Sequence, residues 1–305
     1  MNKYHHIYED LLSITSKENV MVDEYLKKHT YTRLGGKADI FVTPGSVKEV
    51  QDIIKLANSK EVPFTLLGNG SNLIVRDGGI RGIVMSPKRF STIKREGNSI
   101  VAESGARIID VSRKALEEQL TGMEFACGIP GTVGGALFMN AGAYGGEVKD
   151  VLSHAVVVTK EGELVTLSAD KLDLDYRTSN IPDNGYIVLE AHFDLTPGNY
   201  QDIKAIMDDL TYKRESKQPL EYPSCGSVFK RPPGYFAGKL IQDSDLQGKG
   251  VGGAEVSTKH AGFIVNKNEA TASDYIAVIE MVQKTVKEKF GVALEREVKI
   301  LGEDS

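Results

Sequence analysis

Residues 128–146, GIPGTVGGALFMNAGAYGG, place seven glycines in nineteen positions with no charged side chain among them. Flexible linkers mix glycine with serine and other polar residues, whereas the gaps here hold Ile129, Val133, Leu137, Phe138 and Met139, which favour burial. Glycine among buried side chains marks backbone that comes close to something flat or charged, or that turns through positive φ. A second glycine cluster, residues 68–79 (GNGSNLIVRDGG), follows the apolar run 62–67. The two are expected to form opposite walls of one cofactor cleft. The rest of the chain then serves as scaffold, or as the part that brings substrate to it.

At 305 residues the chain exceeds the usual single-domain size, so several domains and a large core are expected. Its 41% apolar and 26% charged residues are ordinary for a globular protein in water. A net charge of -5 and a pI near 5.8 favour neither nucleic acid nor an acidic membrane surface. The first thirty residues hold no apolar run suited to a signal peptide. No later segment approaches the ~20 residues of a membrane span, so a cytoplasmic protein is expected. The two cysteines, Cys127 and Cys225, fit a reducing compartment, and with six scattered histidines they give no metal-ligand spacing.

Residues 4–28 read as an irregular amphipathic helical leader. A strand at 40–42 precedes Pro44, and Ser46 with Glu49 reads as a capping box opening a helix whose Val47, Val50, Ile53, Ile54 and Ala57 recur at helical spacing. Strands at 62–67, 73–75 and 83–85 complete a small α/β lobe. A second lobe, from about 93 to 196, carries a strand at 99–103, a helix at 107–120, the glycine stretch, a hairpin of 154–159 with 164–167, and a strand at 186–195. The third region opens on a helix at 200–216. It ends on a helix at 273–290, N-capped by Ser273 and stopped by Gly291, and on a strand over VALEREVKI with alternating faces.

The LGNGSN loop begins like a dinucleotide site, yet G-x-G-x-x-G breaks after Gly70 and strand rather than helix follows. Its Asn69, Ser71 and Asn72 still accompany backbone N–H groups that suit a diphosphate, and a plain hairpin loop is the alternative. GIPGTVGGA strengthens the phosphate reading, because Gly131 and Thr132 would open a helix whose first amides face phosphate. Arg177, in DYRTS, reads by itself as a solvated charge. PSCGSVFKRPP sets small residues beside adjacent cations, which suits an anionic ligand near a hydroxyl or a structural turn. Cys225 has no histidine near it and reads as a small packed residue. Glu297 reads as the polar face of an edge strand.

Taken in order and at these intervals, GNGSN, GIPGTVGGALFMNAGAYGGE, YRTS, SCGSVFKRPPG and LEREVKILG resemble the UDP-N-acetylenolpyruvoylglucosamine reductases, flavoenzymes that complete UDP-N-acetylmuramate for peptidoglycan. The likeness spans roughly residues 30–302 and rests on five motifs in series. It implies an α+β fold: a two-lobed FAD-binding domain of the vanillyl-alcohol-oxidase (PCMH) type (residues 1–90 and 91–198) and a C-terminal α+β substrate domain (199–305). FAD contacts fall by resemblance on Gly68, Asn69, Gly70, Ser71, Asn72, Gly128, Gly131, Thr132, Gly134 and Gly135. The catalytic roles fall on Arg177 for the substrate carboxylate, Ser227 as proton donor and Glu297 as a protonated acid. Lys217 and Arg231 would take the UDP diphosphate. The short PPGYFAG stretch matches a compact branch without a tyrosine-bearing lid, with Tyr235 as a stand-in.

The implied activity is NADPH-dependent reduction of UDP-N-acetylglucosamine enolpyruvate in two half-reactions at one face of FAD. The protein is expected to be a monomer with no metal, nucleic acid or membrane partner. Two other classes remain open at this point: an FAD oxidase of the same fold, and a non-catalytic nucleotide-binding regulator. His154 and His192 lie outside the glycine stretch, so covalent flavin attachment is not expected.

Overall fold

A computed structural model describes residues 4–305 and divides the chain into two compact units, each discontinuous in sequence. The first runs to Val22 and resumes over Asp39–Asn69 and Gly82–Arg214; the second comprises Asp23–Ala38, Gly70–Arg81 and Glu215–Ser305. The expected divisions at 90 and 198 both fall inside the first unit. A shared core explains this, since Val158, Ile187 and Leu189 are buried together with Ile40, Ile53, Ile83 and Met85.

In the first unit, the helix Val47–Ser59 buries Val50, Ile53, Ile54 and Ala57. Ser46 accepts the Glu49 N–H at 3.2 Å. The expected reciprocal bond is replaced, because the Glu49 carboxylate takes the Gly45 N–H (2.8 Å) and the Thr15 hydroxyl (2.9 Å) instead. The leader is α-helical only over His5–Leu12, with short 3-10 turns at Lys17–Asn19 and Leu26–Lys28, and Val20–Tyr25 is a strand. Its β-branched Val20 and Val22, two apart, fit the pleat better than a helix.

The larger sheet of this unit has five antiparallel strands in the order Leu164–Ser168, Leu152–Val158, Ile187–Asp194, Ser99–Glu103, Ile93–Glu96. Its first pair is the expected hairpin, registered from His154↔Ser168 to Val158↔Leu164 and turned through Gly162 at φ 84. The helix Ile108–Glu117 buries Ile108, Val111 and Ala115, and the short helix Val133–Phe138 carries part of the glycine stretch. A Cβ on Gly134 would lie 3.2 Å from the Ser104 Cβ, a tight contact, so glycine eases the close approach of this helix to the turn after Ser99–Glu103.

The second unit holds a four-stranded antiparallel sheet in the order Ser224–Ser227, Phe263–Asn266, Ala254–Val256, Gly250–Val251. The helix Ala272–Phe290 covers it with buried Tyr275, Val278, Ile279, Val282 and Val286. Its N-cap is Thr271, in a reciprocal box with Asp274, rather than Ser273. The Ser273 hydroxyl instead bonds the Asp77 carboxylate at 2.7 Å. Gly291, at φ 69, ends the helix as expected. The expected strand over 292–300 forms a ladder only at Lys299–Leu301, parallel to Leu73–Val75. Leu294 and Val298 are buried as the alternation requires, but their backbone finds separate partners on different segments. Among the described residues no helix is long and apolar enough to cross a membrane, and no cluster of His, Cys, Asp or Glu could hold a metal.

Candidate active site

The two glycine stretches meet. A Cβ built on Gly68 would lie 2.8 Å from Thr132 Oγ1, so a side chain at Gly68 would displace the hydroxyl that caps the helix Val133–Phe138. Past that contact, the N–H groups of Gly68, Asn69, Gly70 and Ser71 donate to no acceptor among the described residues. Successive backbone amides left free in this way suit a phosphate, and Gly70 turns the chain at φ 61. These donors fit the diphosphate of a flavin dinucleotide.

The expected second donor set is not formed. The N–H of Val133 goes to Ala106 O (2.9 Å), that of Gly134 to Ser104 O (2.9 Å) and that of Gly135 to Thr132 Oγ1 (3.3 Å). With its first turn engaged internally, the six-residue helix has no amides left for phosphate. Gly131 presents its carbonyl to the Ile108 N–H at 2.9 Å, and a Cβ on Gly128 would strike Arg214 Cδ at 2.6 Å. Close backbone approach accounts for Gly128 and Gly134.

Gly70→Ala checks the loop. The new Cβ would stand 2.6 Å from His29 O on a backbone that L residues adopt at a cost of about 1–2 kcal/mol. The variant is expected to purify with less flavin per chain and a lower melting temperature. Full flavin content would remove the loop from the cofactor site.

Arg177 occupies a tight turn in which Asp175 and Thr178 exchange backbone hydrogen bonds (3.2 and 3.1 Å), and it holds φ 55. A non-glycine residue there is strained, and such strain concentrates at functional sites. The turn is tied to the end of the glycine stretch at alternate residues. Ser179 Oγ donates to Phe138 O (2.6 Å), Asn140 Nδ2 to Asp175 O (3.1 Å), and Arg177 Nη2 to Gly142 O (2.8 Å). Thus YRTS and NAGAYGG form one piece of the first unit, with the half-buried guanidinium at its edge.

Ser227 and Glu297 are neighbours in the second unit. Segment 224–230 is bonded along one side to Phe263–Asn266 and along the other to the C-terminal run, with Glu297 N–H to Val228 O at 2.8 Å and Lys230 N–H to Glu295 O at 2.9 Å. Its pairing skips register between Ser224 and Ser227, and Gly226 takes φ 75 at the skip. A bulge of this kind re-aims the following side chain, and Ser227 is exposed. Cys225 is buried against the Tyr275 hydroxyl at 3.2 Å. Burial pushes its thiol up to about 12, with the Glu297 charge adding in the same direction, so it is inert as a nucleophile.

Lys217 ends the helix Tyr200–Lys217 and is exposed, and its positive charge acts on His260. Arg231 is engaged by its own loop: its guanidinium lies 4.0 Å over the Phe236 ring and Nε donates to Tyr235 O at 3.4 Å. Tyr235 itself is exposed. Sequence reading passed over two residues. Asn140 is fully buried and carries polar bonds that a loop asparagine does not advertise. His260 accepts the Gly262 N–H at Nδ1 (3.1 Å), which fixes the proton on Nε2 of the neutral ring. The second unit also holds a cavity of about 680 Å³ bordered by Tyr25, Arg33, Asp77, Tyr222 and Lys267, and none of the expected site residues lines it.

Burial, with a smaller contribution from Lys217, lowers the His260 pKa. A histidine held neutral in the folded state contributes stability that is present above its unfolded value of about 6.5 and lost as pH falls toward the lowered folded value. His260→Asn should therefore lose less stability than the wild type between pH 7.5 and 5, measured as urea midpoints. Equal losses would show that this ring carries no part of the acid limb.

Residues 38–168 match the family model described as FAD binding domain, and residues 218–301 match the model described as UDP-N-acetylenolpyruvoylglucosamine reductase, C-terminal domain. The UDP-N-acetylenolpyruvoylglucosamine reductase of Oceanobacillus iheyensis is 72% identical over 304 residues, covering 100% of this chain and 99% of that protein. The enzyme of the same name from Geobacillus thermodenitrificans is 67% identical over 304 residues and is covered in full. Among solved structures, UDP-N-acetylenolpyruvylglucosamine reductase from Thermus caldophilus superposes with a TM-score of 0.80 at 32% identity, over 93% of this chain and 98% of that one. The grass pollen allergen Phl p 4 shares the fold at 13% identity and a TM-score of 0.50, over 63% of this chain and 44% of its own.

Proposed function

Because the chain belongs to the UDP-N-acetylenolpyruvoylglucosamine reductase family, we propose that Arg177, Ser227 and Glu297 divide the work of reducing the enolpyruvyl ether of UDP-N-acetylglucosamine to UDP-N-acetylmuramate. The full-length match at 72% identity carries the activity itself: an FAD-containing, NADPH-dependent oxidoreductase of peptidoglycan precursor synthesis. FAD, when bound, supplies the two-electron relay between NADPH and the ether. The amides of Gly68 to Ser71 are offered to the diphosphate of that cofactor.

Reduction at the methylene carbon leaves carbanion character on the neighbouring carbon, delocalised into the carboxylate. Arg177 holds that carboxylate with two parallel N–H groups and strengthens its grip as charge builds. Ser227 delivers the proton that quenches the carbanion, a step for which its exposed, bulge-directed hydroxyl is suited. Glu297 acts in its protonated form, since an ionised carboxylate beside the substrate's own would repel it. Lys217 neutralises the diphosphate. Arg231 joins it on leaving the Phe236 ring, and Tyr235 covers the bound substrate. The protein works as a monomer in the cytoplasm, and sedimentation at working concentration checks the first of these.

The deciding experiment is anaerobic. NADPH should bleach the yellow protein, and UDP-N-acetylglucosamine enolpyruvate should restore its colour. An oxidase would instead be bleached by an alcohol and recover in air, and a regulator would stay yellow in NADPH. Bleaching without recovery on addition of the enolpyruvyl substrate rejects the proposed acceptor.

A further inference from the structure

Asn140 is fully buried, and its backbone sits at φ 43, a conformation that asparagine tolerates better than other side chains. The side-chain amide makes three hydrogen bonds. Nδ2 donates to Glu147 Oε2 (2.9 Å) and to Asp175 O (3.1 Å), and Oδ1 accepts the Lys149 N–H (2.9 Å). Both amide hydrogens are thereby engaged, in a place where an unmet partner is costly. Asp175 opens the turn that carries Arg177, and Arg177 returns to the same glycine-rich segment through Gly142 O. The turn is thus fixed at its start by Asn140 and at its tip by its own guanidinium.

We propose that Asn140, with Glu147 as its anchor, is a positioning residue that sets the Arg177 turn for the substrate carboxylate. The amide is the one group of its size that can donate at once to a carboxylate and to a carbonyl while accepting a backbone N–H. Removing a donor frees the start of the turn, and the guanidinium then samples orientations in which its two N–H groups miss the carboxylate. A displacement near 1 Å costs about 10²-fold in rate. The inference rests on the role of Arg177 given above.

Asn140→Asp isolates the donor, because aspartate keeps the shape and tolerates the positive φ. At high pH it opposes the Glu147 carboxylate and the Asp175 carbonyl with negative charge. At low pH the two neighbouring carboxyl groups share a proton, which restores one donation. The other charged groups about this pair are Lys149, whose ammonium lies 2.7 Å from Glu147, then Asp150, which accepts the Glu147 N–H, and the Asp175 carboxylate and Arg177 itself.

The test compares holoenzymes in single turnovers at pH 8.5 and 6, with Arg177→Ala and the double variant alongside. Asn140→Asp is expected to retain flavin and to bleach in NADPH like the wild type. Its recolouring by the enolpyruvyl substrate should be about 10–100-fold slower at pH 8.5, with much of the loss regained at pH 6 relative to wild type. In the Arg177→Ala background it should add nothing. If Arg177→Ala is slow while the Asn140 variant is normal, pH-independent or multiplicative with it, the positioning role is overturned and the Arg177 role stands. If Arg177→Ala recolours normally, both are overturned. Should Asn140→Asp fail to hold flavin, Asn140→Gly, which suits φ 43 and only deletes the amide, decides by the same rates. Failure of both to fold would make Asn140 a folding residue and end the proposal.

Discussion

Ser227→Ala will bleach with NADPH at the wild-type rate and recover colour from UDP-N-acetylglucosamine enolpyruvate about 10²–10⁴-fold more slowly. The size follows from a single lost general acid. Serine is a weak acid, but nothing else at that end of its strand offers a proton: Gly226 has no side chain, Val228 is apolar and Cys225 is buried with its thiol pushed up to about 12. The folded state should hardly notice the change. Ser227 is exposed, and its pairing with Phe263 uses backbone groups that alanine retains. Separating the two half-reactions gives the result its meaning, because a general loss of folding would slow both. Equal recovery in variant and wild type would remove Ser227 from proton delivery.

Arg177→Lys will show the same asymmetry, with recovery slowed by about 10²–10³-fold at saturating substrate. Lysine keeps the charge but offers a point rather than a planar fork, so it holds a carboxylate without fixing its plane. It also surrenders the bond to Gly142 O and occupies the same strained φ 55 without that compensation. A stability loss of about 1 kcal/mol is therefore expected beside the rate loss. If recovery in Arg177→Lys instead stays within about twofold of wild type, charge alone suffices and the bidentate grip is wrong.

Elements that carry their own periodicity were legible in the chain. The helix Val47–Ser59 and the hairpin of Leu152–Val158 with Leu164–Ser168 depend on side chains three, four or two residues apart, and their partners are near in sequence. The C-terminal run was legible in its burial and not in its bonding. Leu294 and Val298 face inward as the alternation demands, but whether a strand forms depends on which distant backbone lies alongside, and that is divided among Val228, Phe229 and Leu73–Val75. The helix start shifted from Ser273 to Thr271 for a similar reason, because Asp77, almost two hundred residues away, took the serine hydroxyl.

In the site, the order of five motifs identified the chemistry, and two glycine clusters announced close approach. What the order of residues could not express was which amides remain free. Those of Gly68 to Ser71 do and those of Val133 to Gly135 do not, because the carbonyls of Ala106 and Ser104, in the turn that follows Ser99–Glu103, accept the first two and the Thr132 hydroxyl accepts the third. Nor could it reveal that Asn140 bonds Glu147 on one side and Asp175 on the other. Sequence determined which groups exist and what each can donate or accept. Tertiary structure alone decided which of those capacities are already satisfied, since a hydrogen bond is made by proximity in space and not by position along the chain.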